Sequence, residues 1–194
     1  MAHKDELKVG LAQIKPVWLH RDKTLVKMEA WAQHAGEEGC QLLVFPEAFV
    51  PGYPFWIELT DGARFNSRRQ KELYAHYLDQ AIQIEAGHLD GLCQLAEEYS
   101  MMIVLGSIER PVDRGGHSAY CSMITIDTTG QVVNVHRKLM PTYEERLCWS
   151  PGDGHGLRTF SLGAFTVGGL NCWENWMPLP RAALYAMGED LHLA

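Results

Sequence analysis

The stretch AFTVGGLN (residues 164–171), followed directly by CWENWMPLPR (residues 172–181), decides how this chain is interpreted. The first part is apolar and contains two adjacent glycines, which is typical of a buried strand that ends in a tight turn. The second part predicts a helix, so Cys172 lies at the corner between strand and helix. A thiol at such a corner is lifted out of the sheet, and the positive end of the helix dipole would favour the thiolate. Cys172 is therefore the first candidate nucleophile.

Two other predicted strands end in a charged side chain. The run LLVFPE (residues 42–47) ends abruptly at Glu47, and Lys138 follows a predicted strand over residues 131–135. A nucleophilic cysteine needs a base or a cationic neighbour, because an ordinary thiol is mostly protonated at neutral pH. Glu47 and Lys138 supply one of each. Each of the three residues also has an ordinary interpretation when it is considered alone. Glu47 could be a solvated carboxylate, Lys138 a surface lysine and Cys172 a buried structural cysteine.

Strand and helix patterns alternate along the rest of the chain. The helix over residues 21–38 has an apolar face, with Asp22 as a candidate N-cap and Gly39 as its stop. Helices are predicted over residues 21–38, 67–81, 89–99 and 176–187, and strands over residues 7–14, 42–45, 101–108, 119–126, 131–135, 158–162, 165–170 and from 190 onward. With no repeat, low-complexity tract or linker, we expect one α/β domain with a mixed sheet over residues 1–194.

Composition and motifs exclude several classes of function. The formal charge of −7 at pH 7 argues against nucleic-acid or anionic-membrane partners, which demand basic patches. No apolar stretch approaches the roughly 18 residues of a membrane span, and the first residues are too polar for a signal peptide, so we expect a cytoplasmic protein. The five cysteines form no C-x-x-C pair and the nine histidines no H-E-x-x-H motif. Neither a metal nor, without a glycine-rich phosphate loop, a cofactor is predicted.

The three charged or nucleophilic segments together resemble the nitrilase branch of the carbon–nitrogen hydrolase superfamily. The matching segments are FPEAF (residues 45–49), HRKLMPT (136–142) and NCWEN (171–175). They place a glutamate, a lysine and a cysteine in the order of the family's catalytic set. The resemblance implies that Glu47 is the base, Lys138 the stabiliser of negative charge and Cys172 the nucleophile. It also points to Glu145 as a fourth residue, which would hydrogen-bond Lys138 or orient substrate.

The resemblance implies a fold and a reaction as well. Family members fold as an α-β-β-α sandwich and associate into dimers or longer spirals, so we expect a homo-oligomer. The CWE context is more similar to true nitrilases than to the amidase branches. It implies hydrolysis of a small organic nitrile by water to a carboxylic acid and ammonia, through a thioimidate and a thioester on Cys172. An amidase and a cyanide-hydrating enzyme of the same superfamily are the alternatives.

Aromatic residues near these motifs are candidates for an apolar substrate pocket, with core packing as the alternative. They are Tyr53, Phe55, Trp56, Trp149 and Trp173. The remaining cysteines are interpreted as structural, because each lies in or beside a helix or strand pattern without an acid–base partner: Cys40, Cys93, Cys121 and Cys148. Glu144, beside Glu145, is interpreted as a solvated loop charge.

The chain stops at Ala194, soon after the candidate nucleophile, whereas the nitrilases that it resembles continue through a second half. We therefore expect a sandwich that lacks its C-terminal part and leaves a sheet face or edge uncovered. An exposed apolar edge favours pairing with another chain. A non-catalytic, oligomerising fragment is accordingly the alternative to an enzyme.

Overall fold

The computed structural model describes residues 6–194 and contains two mixed β-sheets. The first sheet has five strands in the order of the chain. They are β1 (Val9–Leu11), β2 (Leu42–Val44), β3 (Met102–Glu109), β4 (Tyr120–Ile126) and β5 (Val132–Arg137). β1, β2 and β3 are parallel neighbours, whereas β3, β4 and β5 pair antiparallel. The predicted hairpin of β4 and β5 is therefore present.

The second sheet has three strands. They are β6 (Phe160–Leu162), β7 (Phe165–Gly169) and β8 (Leu191–Leu193). β6 and β7 form an antiparallel hairpin that turns at Gly163, where the backbone has a left-handed φ of 61°. β7 and β8 are parallel, so the chain must cross over between them, and it does so through a helix. The predicted α/β class with mixed sheets is confirmed.

Between residues 6 and 194, five α-helices connect the strands. They are α1 (Arg21–Glu37), α2 (Trp56–Leu59), α3 (Arg68–Asp79), α4 (Asp90–Glu98) and α5 (Pro178–Ala186). None of the helices within residues 6–194 combines the length and the apolar character that crossing a membrane would take. The predicted N-cap Asp22 is wrong, because α1 begins after His20, which is extended, and Asp22 lies in the first helical turn. The Thr24 hydroxyl instead fixes this entry by bonding to Val17 and to the His20 carbonyl.

The first sheet is covered on both faces, which explains its nearly continuous apolar sequence. Every residue of β3 is buried, and successive side chains point to opposite faces. Ile103 and Leu105 pack in the core with α1 and α4. Met102 and Val104 pack against the second sheet, which contributes its own apolar side chains from β6 and β7. A helix layer and two stacked sheets, three layers of the expected sandwich, are therefore present.

The segment after β7 differs from the prediction of a helix over residues 176–187. Residues Cys172–Trp176 form a short 3₁₀ helix, Met177 is extended, and α5 begins only at Pro178. The residue before a proline is disfavoured in the α conformation, and proline itself suits the first helical position. Pro178 therefore separates the turn that carries Cys172 from α5.

Candidate active site

The structure brings together the three residues that end three different strands. Glu47 follows β2, Lys138 directly follows β5, and Cys172 follows β7 in the second sheet. The Nζ atom of Lys138 lies 2.8 Å from Glu47 Oε1. Glu47 and Cys172 line the same cleft, which has a volume of about 300 Å³. The site therefore lies where the two sheets meet.

Lys138 is the best-fixed side chain of the site. It is buried, and its ammonium donates to Glu47 Oε1 and to Glu145 Oε2, both at 2.8 Å. Its backbone N–H donates to the carbonyl of Cys121, and its carbonyl accepts from Gly152 N–H. Burial opposes the charged form, but the two carboxylates outweigh it and raise the pKa of Lys138 above its ordinary value. The lysine is therefore a fixed cation at neutral pH.

Glu145 is held by the turn in which it lies. Residues Tyr143–Leu147 form a 3₁₀ helix, and Thr142 with Glu145 forms a capping box at its start. The Oε2 atom of Glu145 accepts the backbone N–H of Thr142 at 2.6 Å as well as the ammonium of Lys138. The hydrogen bond expected between Glu145 and Lys138 is thus present, and the carboxylate is buried around it.

Cys172 lies at a sharp turn and its side chain is accessible. The residue has a left-handed φ of 52°, which a non-glycine residue adopts only when its surroundings impose it. Partial burial and the Glu47 carboxylate raise the pKa of the thiol, whereas Lys138 and the backbone N–H of Trp173 lower it by smaller amounts. A short 3₁₀ helix follows Cys172, rather than the α-helix that the sequence predicted there, and two carboxylates face one ammonium beside it. The partial burial and the Glu47 charge that raise the pKa favour the thiol over the predicted thiolate.

Cys121 has an acid–base partner, contrary to the prediction that it is only structural. Its Sγ lies 3.4 Å from Glu47 Oε1, the same oxygen that accepts from Lys138. Cys121 is fully buried on β4, and burial followed by the Glu47 charge raises the pKa of this thiol well above its ordinary value. It therefore donates a proton to Glu47 in a hydrogen bond and stays protonated.

Gly106 on β3 allows Glu47 to lie where it does. A Cβ atom added to Gly106 would lie 2.2 Å from the carbonyl oxygen of Pro46 and 2.5 Å from Glu47 Cα. Non-bonded atoms do not approach a Cβ atom this closely, so any side chain at position 106 would displace the Glu47 backbone. Gly106 also lines the cleft that contains Cys172.

A second, larger cleft lies elsewhere and lacks the groups needed for chemistry. It has a volume of about 680 Å³ and is lined by Asn175, Trp176, Pro178, Arg181, Ala182 and Tyr185. That lining contains neither a thiol nor a carboxylate. The smaller cleft, which combines Cys172 with Glu47, is therefore the candidate active site.

Two of the predicted pocket aromatics lie in the core. Trp56 and Trp149 are both buried in the cluster that surrounds Tyr77. The ring of Trp56 packs against Tyr77 with centroids 4.6 Å apart, and Trp149 Nε1 donates to the Tyr77 hydroxyl at 3.1 Å. Trp149 also lies under the ammonium of Lys138, 5.5 Å from its ring centroid. Their placement favours packing and support of Lys138 over contact with substrate.

The other three aromatics are at least partly accessible but lie outside the lining of the 300 Å³ cleft. Tyr53 packs against Phe55, with centroids 4.9 Å apart, and Phe55 is about half exposed. The Tyr53 hydroxyl donates to Glu144 Oε1 at 2.8 Å, so the prediction that Glu144 is merely a solvated charge is wrong. Trp173 is exposed and stacks on Trp176. None of these three side chains lines the cleft. Their role in substrate binding therefore stays a prediction.

Sequence reasoning missed Gly106, the contact of Cys121 and the buried carboxylate of Glu174. Glu174 could have been found, because Asn171 and Glu174 have the N-x-x-E spacing of a capping box, as Thr142 and Glu145 have T-x-x-E. Within residues 6–194, no group of three or more His, Cys, Asp or Glu side chains is placed to hold a metal ion.

The chain matches a known protein family and several named proteins. The family model described as carbon-nitrogen hydrolase matches residues 8–194. Nitrilase 2 from an unknown prokaryotic organism is 36% identical over 195 residues, which cover 100% of this chain and 60% of that protein. The aliphatic nitrilase of Rhodococcus rhodochrous is 33% identical over 196 residues, covering 99% of this chain and 50% of the relative. The chain thus spans between half and 60% of the length of these relatives.

The fold is similar to that of solved structures at much lower identity. A crystal structure of an amidase from Nesterenkonia sp. superposes with a TM-score of 0.71 at 20% identity, covering 98% of this chain and 64% of the amidase. At this identity the similarity shows the fold alone.

Proposed function

This chain belongs to the carbon–nitrogen hydrolase family, and from that premise we propose that it hydrolyses organic nitriles to carboxylic acids and ammonia with Cys172 as nucleophile. The observation that carries the proposal is the meeting of an accessible thiol, a carboxylate and a buried ammonium at one cleft. Relatives that are named nitrilases match this chain over almost its whole length, which supports the choice of nitriles as substrates. Water is the second substrate.

The thiol is activated during attack rather than beforehand. Because the pKa of Cys172 is raised, the resting group is protonated and needs a base within reach. Glu47 is that base. Within residues 6–194, both hydrogen bonds to its carboxylate, from Lys138 and Cys121, go to Oε1. This leaves Oε2 to take the proton from the Cys172 thiol as sulfur bonds to the nitrile carbon.

Negative charge that develops on the nitrile nitrogen is stabilised by fixed donors. Lys138 is a buried cation held by two carboxylates, and the backbone N–H of Trp173, the residue next to Cys172, lowers the pKa of the thiol. Donors that are fixed before the reaction stabilise developing charge without reorganisation, and removing one costs about 10² to 10³-fold in kcat. Lys138 and Trp173 N–H therefore form the proposed oxyanion-hole equivalent.

The remaining steps use the same groups. The proton on Glu47 passes to the nitrogen, which gives a thioimidate on Cys172. A first water, deprotonated by Glu47, adds to the thioimidate carbon, and the proton passes from Glu47 to the nitrogen to give a tetrahedral adduct with one hydroxyl and one amino group. The hydroxyl proton is then transferred through Glu47 to the amino group, ammonia leaves, and the C=O of the thioester forms. A second water attacks the thioester, which releases the carboxylic acid and restores the thiol. One nitrile and two waters give one carboxylic acid and one ammonia.

Ammonia release tests the proposal. The purified chain is incubated with aliphatic, aryl and arylacetonitriles and with the matching amides, beside Cys172→Ala and the control Cys93→Ala. Cys93 is a partly buried thiol on α4, away from the cleft. We expect release from nitriles that Cys172→Ala abolishes and Cys93→Ala retains. Faster release from the amides would favour the amidase alternative, and release that survives Cys172→Ala would contradict both.

Assembly and location stay predictions. We propose a homo-oligomer, because α5 and the turn before it expose large apolar side chains, among them Trp176, Leu179 and Tyr185. Light scattering on the purified chain measures the mass directly, and a monomer would contradict the proposal. We also propose a cytoplasmic location, which imaging of a tagged full-length protein tests.

A further inference from the structure

Glu174 is a completely buried carboxylate whose two oxygens both accept backbone N–H groups. Its Oε1 accepts from Leu139 N–H at 2.6 Å, and its Oε2 accepts from Asn171 N–H at 2.7 Å. His136 Nε2 lies 3.2 Å and 2.9 Å from the same two oxygens. A buried charge is costly unless hydrogen bonds satisfy it, and here three donors do so.

The two backbone groups that Glu174 binds are immediate neighbours of two site residues. Leu139 follows Lys138 at the end of β5, in the first sheet, and Asn171 precedes Cys172 after β7, in the second sheet. Glu174 thus connects the two sheets at the point where each contributes a reacting group. The contact also closes the turn that holds Cys172 at its left-handed φ.

His136 is the third hydrogen-bond donor to the Glu174 carboxylate. It lies on β5, two residues before Lys138, and its side chain is completely buried. Gly156 packs directly on it, because a Cβ atom added to Gly156 would lie 2.3 Å from His136 Cα. The backbone of Gly156 therefore packs closely on the His136 backbone, and the tautomer of His136 with a proton on Nε2 donates to Glu174.

We propose that Glu174 is a positioning residue that sets the distance between Lys138 and Cys172 by binding the backbone beside each of them. The inference rests on the proposed function, since it assigns to Lys138 and Cys172 their roles there. Two acceptor oxygens are required, because each accepts a different backbone N–H. A glutamine would direct an amide N–H₂ at one of these N–H groups and release the segment of Lys138 or that of Cys172.

A purely structural cap would have a different effect. If Glu174 only stabilised the turn, Glu174→Gln would lower the melting temperature and leave the chemistry of Cys172 unchanged. As a positioning residue, its loss separates Lys138 and the thiol. Lys138 lowers the pKa of Cys172, whereas Glu47 and Glu145 raise it. Moving the ammonium away therefore makes the thiol less acidic.

The test is the rate of alkylation of Cys172 by iodoacetamide as a function of pH, read by mass spectrometry of the peptide. We expect Glu174→Gln to shift the midpoint upward by about one pH unit, which makes alkylation near pH 7.5 about tenfold slower. With nitriles, kcat should fall by about 10²-fold with little change in KM, since misplacement by about 1 Å has that effect.

Asp127→Asn is the matched control. The Oδ1 atom of Asp127 also accepts two backbone N–H groups, those of Thr129 at 2.9 Å and Gln131 at 3.0 Å, but it lies in the turn between β4 and β5, and none of these three residues lines the cleft of Cys172. It should leave the alkylation profile unchanged. If Glu174→Gln does not give a native circular dichroism spectrum, Glu174→Asp is used. It keeps the charge, but the shorter side chain cannot reach both N–H groups, and the same upward shift is expected.

A folded Glu174 variant with the wild-type profile would overturn the proposal, and so would an equal shift in Asp127→Asn. Alkylation needs no nitrile, so the two proposals fail separately. A chain that releases no ammonia but shows the Glu174-dependent shift contradicts only the proposed function.

Discussion

The Oε2 atom of Glu145 lies 2.8 Å from Lys138 Nζ, and the same oxygen accepts the backbone N–H of Thr142 at 2.6 Å. One carboxylate oxygen therefore both caps the turn and holds the ammonium. A second carboxylate, Glu47, faces that ammonium from the other strand end. The two carboxylates outnumber the single ammonium, so partial burial and the Glu47 charge raise the pKa of the Cys172 thiol although a lysine is nearby.

Replacing Glu145 by glutamine tests this arrangement. The amide oxygen can occupy the position of Oε2, but the hydrogen bond to Lys138 loses its negative partner. We expect kcat to fall about tenfold, the difference between a charge-assisted and a neutral hydrogen bond. The alkylation midpoint of Cys172 should move down, because Glu145 raises the pKa of the thiol. Glu144→Gln is the control, since Glu144 contacts Tyr53 rather than Lys138, and a loss equal to that of Glu145→Gln would contradict the account.

The pH dependence of the unmodified chain follows from the raised pKa of Cys172. A raised pKa means that the neutral thiol prevails at neutral pH and that the thiolate accumulates only as pH rises through the higher value. We expect iodoacetamide alkylation of Cys172 to have its midpoint above about 8.5, the ordinary value of a cysteine. A midpoint well below that value would show a preformed thiolate and would remove the need for Glu47 as the base of the first step.

Gly106→Ala is expected to damage the site without touching a reacting group. The new Cβ would collide with the Pro46 carbonyl and with Glu47 Cα, and both are backbone atoms that cannot turn away. Displacement of Glu47 should lower kcat by about 10²-fold. Gly154→Ala is the control, because its Cβ would meet only Leu157 Cδ1 at 4.0 Å. Wild-type kcat in a folded Gly106→Ala variant would contradict this role.

Cys121→Ala tests the hydrogen bond from the buried thiol to Glu47. Its loss leaves Oε1 held by Lys138 alone, and a hydrogen bond of this kind contributes about 0.5–1.5 kcal/mol, so kcat should fall about 2- to 10-fold. Cys40→Ala removes another buried sulfur, one that packs in the helix-covered core, and should leave kcat unchanged. Equal kcat values in the two variants would show that Cys121 only fills space.

The helices and strands could be predicted from the sequence where a local hydrophobic pattern determines them. The pairing of the strands into sheets could not. The strand predicted over residues 101–108 is observed as Met102–Glu109, because an unbroken apolar run needs cover on both faces. The order of the five strands and the stacking of the second sheet depend on contacts between distant segments, which hydrophobic periodicity does not encode. For the same reason Asp22 was a poor guide, since the helix start depends on Thr24 bonding back to Val17.

The residues of the candidate site likewise fall into those that the sequence predicted and those that it did not. Glu47, Lys138 and Cys172 were visible as reactive or charged residues at strand ends, which is a local signal. The contact of Cys121 with Glu47 depends on how β3 pairs with β4, which brings Cys121 opposite Ile108 beside the Glu47 loop. Trp56 and Trp149 follow the motifs closely in sequence, but their position around Tyr77 depends on the packing of α2 and α3, which sequence spacing does not report.

The most direct test of the account is the covalent intermediate on Cys172. The chain is mixed with a nitrile, quenched in acid after milliseconds to seconds, and digested for mass spectrometry. We predict that the peptide containing Cys172 gains the mass of the nitrile, as a thioimidate, and that Cys172→Ala shows no such gain on any peptide. Ammonia release without an adduct on Cys172, or an adduct that persists in Cys172→Ala, would contradict the assignment of Cys172 as the nucleophile.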